Sequence, residues 1–555
     1  MPFDPGRFLR YEEMTAQLRE WAAAYPALCE LAAIAQSAEG RTVWAMTLTN
    51  KETGEASAKP GYLVDGNTHA GEMTGGAAAL YTIHWLLTNY GQEPTATAIL
   101  DTRTFYVIPR IAVDGVELYL TTPNTVRSSP KVYPEPTELP GLYPTDLNGD
   151  GLILQMRQVH PDGDWKVDAQ DPRLMVARLP EDRGSGPYYK LYTEGMLREW
   201  DGKAMPVERR MQRLDFNRNY PAFWNPEGKQ PGAGPYPLSE PETRAVATFI
   251  LAHPNIGAYV CYHTSGGVLL RPPSNGGDDK LNGADLAVFK RIGELCTRFS
   301  GHPCKSTYES FAFPGQEALV KGADDWAYEH HGVMAFTFEL WNSDLHAGGQ
   351  GYAQIGVKGL MARKSEQVIE HERNKLAWND RELGGKGFIN WTPFEHPQLG
   401  PVEIGGWNTK WCIQNAPEGP MLIEEISKAA SFTFQNALAL PCLTVTVKAA
   451  AVGKGLYKVS ACIANSGGLP TNITQQAVAM KSVQPIRVEF SGNARILSGK
   501  ERQEVGHLEG WATSGGRTRA ETWVDWLVQA EPDTALVVTA STARAGQAMG
   551  GVTLA

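Results

Sequence analysis

His69 and Glu72 stand three residues apart, just after the short apolar run Tyr62 to Val64 and just before a helical run with apolar or small residues at Ala77, Leu80, Tyr81, Trp85 and Leu87. An imidazole and a carboxylate are thus offered together where a strand gives way to a helix. In open α/β sheets that edge is where ligands bind. They are also two of the three protein ligands a catalytic zinc needs, its fourth position staying open for water. Taken alone, H-x-x-E is equally a solvated pair on a helix. His263 ends a second apolar run, Ile256 to Tyr262, and Glu339 ends a third, Val333 to Phe338. With His263 the set becomes His₂Glu, although a strand-end histidine is commonly a hydrogen-bonded structural residue. Glu339 sits in Ala335-Phe-Thr-Phe-Glu339-Leu-Trp341. A carboxylate in such a run is costly to bury unless it is paired or used. In Asp215-Phe-Asn217-Arg218-Asn219, an arginine fork beside an amide donor can grip a carboxylate. Asp215 could fix the tautomer of a zinc-bound histidine. The same motif also serves as an ordinary surface loop.

The elements that must carry these groups alternate between strand and helix. Tyr11 to Tyr25 reads as a helix. Leu31 to Ile34, Val43 to Leu48 and Thr104 to Ile108 read as strands, and the run after Glu72 as a helix to about Tyr90. Helices are expected from Glu240 to His253, Asp285 to Phe299 and Lys364 to Asn379. The pattern predicts an α/β fold with a mixed, mostly parallel sheet covered by helices on both faces. Residues 128–210, rich in Pro, Gly and Asp, read as a long insertion. Within it, Asp146, Asn148 and Asp150 begin as an EF-hand loop does. Arg157 takes the place of the bidentate Glu, leaving a Ca²⁺ site and a ligand-free Asx/Gly turn both open. After Gly384-Gly385 the pattern becomes all-β, with one helical interruption at about Leu422 to Leu438. The expected division is 1–385 for the catalytic domain and 386–555 for a β-sandwich-like domain.

The net charge of −10 and a pI near 5.7 argue against general nucleic-acid binding. No run of about 18 apolar residues predicts a membrane span. The seven cysteines include no C-x-x-C and several lie in apolar runs, so buried thiols and a reducing compartment are expected. The N-terminus has no signal-peptide pattern, and a cytoplasmic location is expected, a leader removed beforehand being invisible in the sequence.

The ordered set Ser37-Ala-Glu-Gly-Arg41, His69-Ala-Gly-Glu72, Asp114-Gly115, Arg127, Asp215-Phe-Asn217-Arg218-Asn219, Tyr262-His263, Asp325-Trp326 and Phe336-Thr-Phe-Glu339 resembles the zinc metallocarboxypeptidases of the carboxypeptidase A/B type. The resemblance covers roughly residues 8–370. It implies one catalytic Zn²⁺ on His69, Glu72 and His263. Glu339 would be general base and Arg127 oxyanion stabiliser. Asn217 and Arg218 would hold the substrate's C-terminal carboxylate, with Asp215 behind a zinc ligand. The partners it implies are peptide or protein C-termini. Asp324 falls where the family sets the pocket for the departing side chain, which implies a preference for C-terminal Lys or Arg; capping of a helical turn is the other reading of Asp324.

Some positions depart from the family. Glu317 stands where the family has a mobile Tyr, with Tyr308 nearby but out of register. Gly71 replaces an Arg often found between the metal-binding His and Glu, and Ser265 replaces a Tyr. The family-like start at Arg10-Tyr11 leads to the expectation that no inhibitory pro-segment precedes it. The C-terminal part resembles, in position, the β-sandwich of the family's regulatory branch, its partner unknown. Two other readings stay open. One is a zinc-dependent deacylase or cell-wall peptide amidase on the same scaffold. The other is a non-catalytic binding protein.

Overall fold

The computed structural model describes residues 3–134, 139–182, 184, 186–311, 322–512 and 520–555. Glu317 lies outside them. An eight-stranded sheet organises the first two thirds of the chain. Its order is Cys29–Gln36, Thr42–Leu48, Thr104–Ile108, Gly61–Gly66, Ile256–Thr264, Met334–Leu340, Val268–Arg271 and Cys304–Ser306. The four inner neighbours, from Thr104–Ile108 to Met334–Leu340, run parallel. Helices such as Met73–Asn89 and Gly283–Ser300 pack on it. The three central strands are buried throughout, which is why they read as unbroken apolar runs and not as alternating ones. Asp65 and Gly66 continue the strand beyond the apolar run Tyr62 to Val64. Two further helices, Pro94–Thr102 and Val113–Thr121, complete this part.

The insertion is not a plain loop. Gln155–Val159, Trp165–Val167, Met175–Ala177 and Tyr189–Thr193 form an antiparallel sheet with Phe388–His396 and Gly400–Trp407. Those last two strands follow residue 385 yet pair with the insertion, not with the sandwich. The helix Pro420–Leu438 is also displaced from its expected domain. Its Leu422, Ile426, Ala429, Phe432 and Ala437 are buried in the main core, and it packs on Met73–Asn89 and Gly283–Ser300. The sandwich strands therefore begin at Leu443, later than the expected 386, and form two four-stranded antiparallel sheets around a separate core that includes Val459, Ile463, Trp526 and Val538.

The sandwich is tied to the rest of the chain at the end of the helix Ala323–His331. Arg544 donates to the carbonyls of His331 and Gly332, the latter at 2.9 Å, and Thr474 Oγ1 donates to Gly332 O at 2.7 Å. These carbonyls are left unpaired by the helix itself. All seven cysteines are free thiols. Among the described residues no helix is long and apolar enough to cross a membrane.

Candidate metal centre and substrate cleft

The three apolar strands end at one sheet edge, bringing the predicted groups together. His263 is the register partner of Glu339, and Tyr262 of Gly66, three residues before His69. The helix bearing Glu72 at its start must approach this edge closely. A Cβ at Gly75 would lie 2.5 Å from the carbonyl oxygen of Tyr262, so only glycine lets the helix rest on the strand that carries His263.

His69, Glu72 and His263 are buried, and their ligand atoms lie within 4.8 Å of one another, the only such group among the described residues. His69 Nε2 lies 3.0 Å from Asp215 Oδ1. A carboxylate there accepts a hydrogen bond from Nε2–H, which keeps the proton on Nε2 and turns the Nδ1 lone pair toward the cluster. His69 Nδ1 lies 2.7 Å from Glu72 Oε1, and His263 Nδ1 lies 2.8 Å from Glu72 Oε2 and 3.1 Å from His69 Nδ1. Two imidazole lone pairs and a carboxylate thus converge. This nitrogen and oxygen donor set fits zinc. Burial opposes ionisation of Glu72, but His69 and His263 hold it well below the usual carboxylate range.

Arg127 donates from Nη1 to Glu72 Oε1 and from Nε to Asp215 Oδ2, each at 3.1 Å. Its side chain remains 44% exposed, open to the cleft. Asp215 is likewise held below the usual range, against its burial, by Arg218, Arg127 and His69. Burial first, then the charge of Glu72, pushes Glu339 up to about 8.

One narrow cleft is lined by His69, Arg127, Asn217, Arg218, Asp324 and Glu339 together. Asn217 Oδ1 accepts from Ala323 N at 3.0 Å, which leaves its amide nitrogen as a donor. The contact is tight, since a Cβ at Gly322 would lie 2.3 Å from Asn217 Oδ1. Arg218 donates to Asn217 O at 3.0 Å, and no carboxylate pairs with it among the described residues. Asp324 and Asp325 are both buried in the first turn of Ala323–His331. Burial raises both carboxyls, Asp325 further through the charge of Asp324.

The acidic loop of the insertion stands apart from this cleft. Asp146 accepts from the amides of Gly149 and Gly151 at 2.7 and 2.9 Å, Asn148 Oδ1 from Asp150 N, and Asp150 Oδ1 from Leu152 N. The side chains serve the turn's own backbone, and calcium is not supported there. Of the two sequence readings, the Asx/Gly turn describes the geometry.

Several residues of the site gave no signal in the sequence. Thr264 N donates to Glu72 Oε2 at 3.3 Å. Tyr119 and Gln414 lie beside Gly71, where a Cβ would come within 3.0 Å of the Tyr119 ring and 3.3 Å of Gln414 Nε2. They fill the space that an Arg at this position would need. Their approach depends on packing between segments almost 300 residues apart, which no local spacing encodes.

A strand-edge trio of nitrogen and oxygen ligands beside a cleft lined by Asn217, Arg218 and Glu339 is the arrangement of a metallohydrolase. Residues 14–171 and 187–354 match the family model described as zinc carboxypeptidase, and the chain belongs to that family. Residues 443–553 match a domain of unknown function, DUF8731. Human mast cell carboxypeptidase A is 36% identical over 136 residues, 23% of this chain and 31% of that protein. Dog carboxypeptidase B is 25% identical over 379 residues, 66% of this chain and 72% of that protein. The matched part thus spans about a third of the first relative and most of the second. Carboxypeptidase A from Helicoverpa armigera superposes with a TM-score of 0.42 at 16% identity, covering 69% of this chain and 76% of that one.

Proposed function

We propose that this chain is a zinc-dependent exopeptidase that hydrolyses the C-terminal bond of peptides or proteins. The observation that carries the reading is the single cleft shared by His69, Arg127, Asn217, Arg218, Asp324 and Glu339. His69, Glu72 and His263 would hold the metal. When bound, zinc supplies Lewis-acid polarisation of the scissile carbonyl and acidifies a water.

The chain's own groups do the rest. The Arg218 guanidinium and the Asn217 amide bind the α-carboxylate of the last residue, which restricts hydrolysis to free C-termini. The Glu339 carboxylate takes the attacking water's proton and passes it to the nitrogen of the leaving amine. Its raised proton affinity suits a group that must hold that proton between the two transfers. Arg127, already at the mouth of the cleft, exchanges its contact with Glu72 for the oxyanion developing on the scissile carbonyl. Asp215 keeps the proton on His69 Nε2.

A preference for C-terminal Lys or Arg is part of the proposal. Its support is Asp324, a buried carboxyl on the cleft wall that gains most from a cationic side chain. Zinc analysis combined with mass-spectrometric reading of peptide digests tests the function. Loss of single residues from the C-terminus, abolished by a zinc chelator, is the expected result. Cleavage of acyl-amino acids or muropeptides alone would overturn it.

A further inference from the structure

The helix Ala323–His331 has one end in the cleft and the other against the sandwich. Its first turn carries Asp324, which lines the cleft, and Ala323 N donates to Asn217 Oδ1 at 3.0 Å. Its nine residues span about 13 Å, so a displacement at one end reaches the other through a single rigid element.

Side chains of the sandwich take up the carbonyls at the far end. Arg544 donates to the oxygens of His331 and Gly332, and Thr474 Oγ1 donates to Gly332 O at 2.7 Å. Ser482 Oγ donates to His331 O at 2.6 Å, and Gln476 Nε2 to Glu329 O at 2.7 Å. The amides of Gln475 and Gln476 donate to Asp285 at 2.6 and 3.1 Å, and Tyr328 on the helix donates to the same carboxylate at 2.9 Å. The approach is close. A Cβ at Gly332 would lie 2.2 Å from Ala477 N and 2.3 Å from Ala477 Cα, and φ there is +59°. Only glycine both ends the helix and admits the sandwich.

Arg544 is the costly member of this set. It is 3% exposed, and among the described residues no carboxylate pairs with it. Burial lowers it to about 10, so it is a cation at neutral pH. A buried guanidinium without a counter-ion is unfavourable unless dipoles answer its charge. The carbonyl end of a helix, with its partial negative charge, is that answer here. A helix that moved away would leave a bare buried cation. At the other end Asn217 is pressed on the first turn, since a Cβ at Gly322 would lie 2.3 Å from Asn217 Oδ1. A shift of the helix therefore moves Asp324 and Asn217 together: the wall for the last side chain and one donor of the carboxylate grip.

We propose that the sandwich positions the substrate pocket, with Arg544 as a positioning residue that acts through the helix Ala323–His331. The inference rests on the exopeptidase reading and adds to it a role for the sandwich in substrate binding.

The test uses the zinc-loaded full chain as wild type, Arg544→Gln, Arg544→Lys and Thr474→Val, with peptides that have free C-termini. In Arg544→Gln the KM is expected to rise about tenfold with kcat retained, because the grip loosens without change at the reacting atoms. Arg544→Lys keeps the cation and should recover most of the KM. Thr474→Val keeps the shape, and its KM should rise about threefold for the lost donor, which carries the test if Arg544→Gln does not fold. An unchanged KM in the folded variants, whatever their melting temperature, would make the contact merely structural and overturn the proposal. If the wild type hydrolyses no peptide, the exopeptidase reading fails instead, and hydrogen exchange decides the positioning. Amides of residues 322–326 should then exchange about tenfold faster in the variants, with those of Ile256–Thr264 unchanged. Equal rates at 322–326, or the same rise in both segments, would overturn it.

Discussion

His263 and Glu339 face each other across two parallel strands as register partners, and that pairing sets a metal-binding nitrogen and a free carboxylate at one level of the sheet edge. Glu339 is outside the converging trio. Glu339→Gln is therefore expected to abolish turnover, by about 10²–10⁴-fold, while the protein retains its zinc. Metal content by mass spectrometry, measured beside activity, checks this. A variant that loses zinc and recovers activity on adding it would make Glu339 a ligand.

Arg218 has no carboxylate partner among the described residues and lines the cleft. Arg218→Ala should weaken hydrolysis of peptides with free C-termini by about 2–5 kcal/mol, the range for breaking a buried charge pair. C-terminally amidated peptides, already poor substrates, should change far less. An equal fall for both would show that Arg218 supports the fold.

Asp324 sets a third expectation, with a pH signature. Its carboxyl is raised by burial, so the anion that attracts a basic side chain forms at higher pH than for an exposed Asp. Preference for Lys and Arg over Leu and Phe should grow as pH rises through that value and vanish in Asp324→Ala. Peptides differing only in the last residue, assayed across pH on both proteins, measure it. Faster release of Leu or Phe by the wild type would sink the assignment.

The acidic loop at Asp146, Asn148 and Asp150 satisfies its own amides. Added calcium should leave the melting temperature unchanged, as should a calcium-selective chelator. A calcium-dependent rise of several degrees would show that the loop opens to bind it.

A chain cut at residue 385 should not fold. It would lack Ile426, Phe432 and their neighbours from the main core, and losing even one such side chain costs about 2–5 kcal/mol. Circular dichroism and thermal melts of the truncated chain would reveal it. A cooperative melt at the full-length temperature would refute the claim.

The central sheet was legible because its middle strands are buried on both faces, so burial alone writes continuous apolar runs such as Ile256 to Tyr262. The site was legible for the same reason: His263 and Glu339 stand near the ends of those runs and His69 just beyond one. The insertion was opaque. Gln155–Val159 has one face exposed and a mixed sequence, and one of its two partner strands, Gly400–Trp407, lies almost 250 residues later. The helix Pro420–Leu438 was recognisable as a helix, but nothing local says which core receives it. The boundary at Gly384-Gly385 followed a genuine change of composition, which marks a turn into the Phe388–His396 hairpin and not the edge of a domain. Arg127 shows a further limit. Its contacts to Glu72 and Asp215 depend on side-chain geometry that spacing does not carry.

The late helix has a consequence for biosynthesis. Every group of the metal trio has been translated once the ribosome passes His263, and the general base once it passes Glu339. The hydrophobic bed that receives the Pro420–Leu438 helix stays uncovered for roughly another hundred residues. Domains fold as units during synthesis, so the nascent catalytic half must wait for its own last piece. An active site complete in sequence but not in packing would then emerge inert, and activity would switch on only when Leu438 clears the exit tunnel. Ribosome-arrested chains of increasing length, assayed for zinc-dependent hydrolysis, should become active at that length and not at the one that merely exposes Glu339.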